Sequence, residues 1–338
     1  MMHRKYFSIV MSFGIAMMMS GCSGKQYFKP AQTHTVSVNY FDGKITDLSR
    51  DGATLHNGRY IGKAGISHIN LGEGYRFLSE NENYVLASNA KGILNIIDKH
   101  AEKSVRAVSL HLPVVAATIK KGIVAYILSN NTFGVYEVKN NRKVIENRSE
   151  RTYAIDTRAA SPMFIDNLVV MPMLDGKLII VDLDNSDNAK VVYLSSNKVF
   201  NNVVYLSRKG NTMVAATPKK LITLGVQGKK EYSANISEIA LGNNAIYLFT
   251  KEGNVVKLNM ALQPVASKKF KYAHFSAATS FDNKVFGLDQ QGSLIVLNSD
   301  LTKSKVYDVG AVDEPAFITG KKLYKDGKVI DLSQLGYE

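Results

Sequence analysis

The sequence predicts an all-β protein, an eight-bladed β-propeller of four-stranded blades closed into a ring by its own N-terminal strand. Three observations predict it. A hairpin motif recurs along the 338 residues, its turns fall at near-regular intervals, and the last copy is one strand short while a spare strand lies near the start.

The motif is clearest in "NENYVLASNAKGILNIID" (81–98), "IDNLVVMPMLDGKLIIVD" (165–182), "GNNAIYLFTKEGNVVKLN" (242–259) and "FDNKVFGLDQQGSLIVLN" (281–298). In each, an Asn precedes a short apolar strand, and nine residues later a Gly opens a second strand: Asn83 and Gly92, Asn167 and Gly176, Asn244 and Gly253, Asn283 and Gly292. The glycine supplies the positive φ that a tight hairpin turn needs. Apolar residues continue on both parities of strands such as "KLIIVD", which suits a sheet packed on both faces.

Weaker copies fill the gaps, with turns near Thr132, near Lys219, at Gly327 and, in "DGATLHNGRYIG" (51–62), at Gly58. The eight turns are 34 to 44 residues apart. Such a unit is too strand-like for a helical solenoid and too long for a β-helix, but it holds four strands, one propeller blade. In the second unit these are "YRFLSE", "YVLAS", "ILNIID" and "SVRAVSL".

The last copy runs out after "KVIDLSQLGYE", and "TVSVNYF" (35–41) supplies the missing strand from the other end of the chain. Sharing one blade between the two termini removes the open edge. The alternative is seven blades, which follows if "FDGKITDLS" (41–49) lies outside the ring.

Residues 1–21 form a signal peptide: Arg4 and Lys5 precede an apolar stretch of 13 residues, too short to span a bilayer. It ends in Met19, Ser20, Gly21, Cys22, which resembles a bacterial lipobox and so implies acylation of the Cys22 thiol and cleavage just before it. The 316 residues after Cys22 contain no cysteine, which excludes disulfides and thiolate metal sites. Ser23, rather than Asp, at the next position matches the pattern of lipoproteins sent on to the outer membrane, so that resemblance implies a lipid anchor on its periplasmic face. Residues 22–34 hold the lipidated cysteine and a polar tether with Pro30, and 35–338 form the propeller.

Without residues 1–21 the net charge falls from +13 to +11. An exported chain has no nucleic acid to meet, and its lysines are scattered through turns such as "NRK", "GKK" and "SKK", so nucleic-acid binding is not expected. Attraction to anionic headgroups or acidic proteins and a merely solvated basic surface both remain open.

A lipobox, a short tether and blades built on "DGKLIIVD"-like strands resemble the quinoprotein-like propellers, in particular the propeller lipoproteins of the outer-membrane β-barrel assembly machinery. The resemblance implies a scaffold that holds periplasmic domains of a membrane-embedded assembly protein. Relatives that bind pyrroloquinoline quinone place tryptophans between blades and a calcium ion beside the cofactor, and this chain has no Trp. No cofactor is therefore expected.

The remaining candidate residues are weak. Asp182, Asp184 and Ser186 in "DLDNSDN" have calcium-loop spacing without the turn Gly or closing Glu, so a turn between outer strands is the better reading. His3, His34, His56, His68, His100, His111 and His274 form no H-x-H or H-E-x-x-H pair, and no G-x-S-x-G turn occurs. No catalytic or metal residues are assigned. Arg142, Arg151 and Arg158 are of the type enriched at interface hot spots but are expected to be solvated loop charges. Protein scaffolding is the expected role, and binding of a small molecule or glycan in the channel is the alternative.

Overall fold

The structure, a computed structural model, describes residues 26–152, 158–185, 188–195 and 201–338. Eight antiparallel four-stranded sheets succeed one another along the chain. Blade 1 spans 45–66, blade 2 75–109, blade 3 114–148, blade 4 163–193, blade 5 205–233, blade 6 236–269 and blade 7 275–308. Blade 8 joins 317–331 to Asn39–Tyr40. The innermost strand of blade 1 is Ile45–Leu48, inside "FDGKITDLS", which rules out the seven-bladed alternative.

The expected turns connect the second and third strands of each blade. Gly58, Gly92, Gly176, Gly253 and Gly292 all have φ between +76° and +89°. Blade 8 uses Asp326 and Gly327, both at positive φ, as a two-residue loop between paired Lys325 and Lys328. In blade 3 Asn131 takes the left-handed conformation, at φ +67°. In blade 5 no glycine is needed because Thr217 Oγ1 accepts from the backbone of Lys219 and Lys220, a side-chain substitute for a tight turn.

One backbone bond repeats in every blade. A residue beyond the outermost strand, the very next one in every blade but the first, donates its N–H to the carbonyl of the turn: Leu71 to Gly58, Leu110 to Gly92, Ser149 to Asn131, Leu194 to Gly176, Ala234 to Lys219, Phe270 to Gly253 and Val309 to Gly292. In blade 8 the donor is Phe41, from the other end of the chain, and the acceptor is Gly327.

The core is divided in the same way. Eight apolar clusters each lie between two successive blades. The cluster between blades 8 and 1 is the smallest, with six buried members: Ile45, Ala53, Leu55, Ile61, Phe317 and Tyr324. The cluster between blades 2 and 3 has thirteen, so among the described residues the join at the chain ends fully buries fewer than half as many apolar side chains.

Closure is shorter in blade 8 and wider around the rim than the strand 35–41 implies. Only Asn39 and Tyr40 pair, with Val329 and Lys328. Before them, His34 bridges Tyr307 of blade 7 in parallel: its N–H donates to the Val306 carbonyl and its carbonyl accepts from Asp308, both at 2.9 Å. Val36 and Val38 pack into the interface of blades 7 and 8. The C-terminus lies on the same strand, where Tyr307 Oη donates to the Gly336 carbonyl at 3.0 Å. Phe28, in the expected tether, sets its ring edge-on against Phe270 with centroids 5.8 Å apart.

Candidate functional site

The inner strands surround a central channel with a cavity of about 530 Å³, lined by residues of seven blades. Arg50 and Asp51 enter it from the first turn of blade 1, Glu238 from the innermost strand of blade 6, and Arg158 from the segment before blade 4.

Arg158 reaches the channel through an insertion. Val203, fully buried in the connection between blades 4 and 5, donates its N–H to the Met173 carbonyl at 3.1 Å and accepts from the Ala160 N–H at 2.9 Å. It thus occupies the place beside Met173 that the innermost strand of blade 4 would otherwise fill. Residues 158–162 are displaced inward, and the innermost strand shrinks to Met163–Ile165.

At the centre, the Glu238 carboxylate lies between two guanidinium groups. Arg50 Nη1 donates to Oε2 at 3.0 Å, and Arg158 Nη2 donates to Oε1 and, at 3.3 Å, to the Ser276 carbonyl. The Glu238 side chain is 7% exposed and the arginines 19% and 18%. This charge triad braces blades 1, 4 and 6 across the channel. Burial raises the Asp51 pKa, against the opposing effect of a hydrogen bond from Ser161 across the ring. The Tyr205 hydroxyl is pushed up to about 12 by burial, with a Ser207 bond and the Arg50 charge opposing. The Glu238 charge is offset by the two guanidinium groups beside it. Lys63 and Arg208 leave the lining net positive.

The arginines singled out in the sequence have three different fates. Arg142 is exposed and pairs with Glu137 at 3.3 Å. Arg151 is exposed in the connection to blade 4. Arg158 corrects the expectation of solvated loop charge, because the Val203 insertion carries it into the channel. The signal for its partner was a glutamate inside the apolar strand "ISEIAL" (236–241). "DLDNSDN" forms the turn between the outer strands of blade 4, with Asp182 Oδ1 accepting from the Asp184 N–H at 3.0 Å and Asn167 Nδ2 donating to Asp184 at 2.6 Å. Ser186 lies outside the described residues. Among the described residues no three His, Cys, Asp or Glu side chains are grouped to hold a metal. The lipobox, Met19 to Cys22, lies outside the described residues. Among the described residues no helix is long and apolar enough to cross a membrane.

No family model matches the sequence. The plasminogen-binding protein PgbB of Helicobacter pylori, in strains J99 and 26695, is 25% identical over 369 residues, covering 94% of this chain and 68% or 67% of the relative. Among solved structures, BamB from Moraxella catarrhalis superposes with a TM-score of 0.68 at 16% identity, over 88% of this chain and 98% of that one. The computationally designed Ika8 protein gives 0.63 at 14%, over 89% and 100%, and the C-terminal WD40 domain of Sif2 gives 0.62 at 10%, over 88% and 98%. The resemblance carried by the repeats holds in three dimensions: the chain has the fold of a BamB-like β-propeller.

Proposed function

We propose that this chain is a lipid-anchored protein of the outer membrane, facing the periplasm, that acts as a non-catalytic scaffold for protein partners in outer-membrane protein assembly. The observation that carries this reading is the braced ring. The segment from His34 to Tyr40 and the C-terminal Gly336 are built into the rim, and the channel is crossed by the Arg50–Glu238–Arg158 triad, so the molecule presents loops from a stiff frame. Likeness of fold to BamB points to assembly, and the curated relatives at 25% identity are named for binding a protein. Preorganised loops suit protein recognition, since little ordering is left to be done on binding.

Crosslinking in the native host, followed by affinity capture of the full chain and mass spectrometry, tests the proposal. Recovery of an outer-membrane assembly protein supports it. Capture of no envelope protein, with a small molecule bound to a monomer, overturns it in favour of ligand binding in the channel. The curated relatives motivate a second reading, plasminogen binding, which saturable retention of plasminogen on the immobilised chain would support.

A further inference from the structure

The N-terminal segment joins the ring well before the strand that closes it. Phe28 packs on Phe270, just past the outermost strand of blade 6, Pro264–Lys269. The residues around that entry point share one chemistry. Lys29 follows Phe28, while Lys268, Lys269 and Lys271 surround Phe270 in sequence. Tyr27, Tyr272 and Val265 are exposed, at 38%, 38% and 59%. Lys268 Nζ reaches the Thr302 carbonyl at 3.4 Å, and Lys271 Nζ sits 4.8 Å over the Tyr272 ring. Glu252 feels the charge of Lys269 but is hydrogen-bonded by Asn235. Among the described residues none of these four lysines forms an ion pair with a carboxylate, whereas Lys303 on blade 7 pairs with Glu338 at 2.6 Å.

We propose that this edge of blade 6 is a membrane-docking surface for anionic phospholipid headgroups, with the four lysines facing the phosphates and Tyr27 and Tyr272 at the interface. The proposal rests on the reading of Cys22 as the lipid anchor. Six residues lead from Cys22 to Phe28, and an extended chain of that length spans about 20 Å at most, so the anchor holds this edge beside the bilayer. Attraction to a charged surface fades beyond about 8 Å at physiological ionic strength, so proximity is what makes these charges effective. Aromatic side chains with polar tips favour the same interface.

The test uses residues 22–338 carrying Cys22→Ser, which keeps every described residue and removes the acyl chains. Co-sedimentation is measured with vesicles of phosphatidylcholine containing phosphatidylglycerol and with phosphatidylcholine alone. Binding is expected only to the anionic vesicles. The triple variant Lys29→Glu, Lys269→Glu, Lys271→Glu should bind at least about 100-fold more weakly, since each lysine near such a surface contributes about fivefold. The control Lys91→Glu, Lys121→Glu, Lys139→Glu makes the same charge change on blades 2 and 3 and should retain binding, with melting curves confirming that both variants fold. Failure to bind anionic vesicles, or equal loss in the control, overturns the proposal. Palmitate labelling of the native chain checks the anchor separately: an unlabelled chain that still binds anionic vesicles sinks the anchor and leaves the surface standing.

Discussion

The backbone N–H of Phe41 donates to the carbonyl of Gly327 at 2.9 Å, repeating across the two ends of the chain the bond that Phe270 makes to Gly253 within one blade. Closure therefore obeys the same local rule as the other seven blades, at the interface with the smallest core. Deleting residues 35–41 removes Val36, Val38 and Phe41, all half-buried, and exposes the edge of Lys328–Asp331. Half the burial energy of three such side chains is about 3 kcal/mol, so a melting temperature several degrees lower is expected, together with aggregation. An unchanged melting curve would refute closure by this segment.

Phe28→Ala tests whether the segment before the closing strand is part of the fold. A freely moving tether predicts no effect. The edge-on contact with Phe270 instead predicts a loss of about 1–2 kcal/mol in urea unfolding, the share expected for a half-buried aromatic ring.

Gly253→Ala and Gly122→Ala form a matched pair. Both glycines have positive φ, at +81° and +75°, but a Cβ on Gly253 lies 2.2 Å from the Phe270 carbonyl oxygen, whereas Gly122 has nothing within 4 Å. Gly122→Ala should cost about 1 kcal/mol of backbone strain. Gly253→Ala should cost at least about 3 kcal/mol, because strain is joined by loss of the repeated turn bond. Equal destabilisation of the two would show that close approach does not matter here.

Glu238→Ala removes the carboxylate shared by Arg50 and Arg158 in the channel, where among the described residues Arg50 Nε already lacks a hydrogen-bond partner. Removing one side of a buried ion pair costs about 3–5 kcal/mol, and the arginines are about one-fifth exposed, so about 2–3 kcal/mol is expected here. A double-mutant cycle with Arg50→Ala in urea should give a coupling of at least about 1 kcal/mol, and additivity would show that the triad does not brace the ring.

Asp51 sets a pH dependence opposite in sign to that of most carboxylates. Its folded pKa is raised above the ordinary 3.8 by burial in the channel. The buried carboxyl is therefore tolerated below the unfolded value, and its stabilising contribution is lost as pH rises through the folded pKa. Asp51→Asn should be more stable than the parent at neutral pH, with the difference shrinking as pH falls through the raised folded pKa and vanishing below about 4. A variant less stable at pH 7 would show that the charged form is favoured in the fold.

The repeat carried most of the architecture openly. Turn glycines at 58, 92, 176, 253, 292 and 327 mark blades because all adopt positive φ, and at 92, 253 and 292 a backbone atom also lies within 2.4 Å of where a Cβ would be. The turns at Asn131 and Thr217 were harder to place because side-chain and backbone alternatives serve the same geometry without glycine.

By itself the sequence determined the local rules: where hairpins turn, which strands are apolar on both sides, and that the start of the chain can complete the last blade, while the choice between seven and eight blades fell to the structure. Strand periodicity and turn chemistry act over a few residues, so they can be read directly from the order of the amino acids. The tertiary structure alone decided that His34 and Gly336 meet on Tyr307 of blade 7, that Val203 wedges into blade 4, and that Arg50, Arg158 and Glu238 meet in the channel. Arg50 and Glu238 are 188 positions apart in the chain, and no local pattern records such a pairing. Their meeting depends on the closed ring, which brings opposite blades within the reach of one side chain.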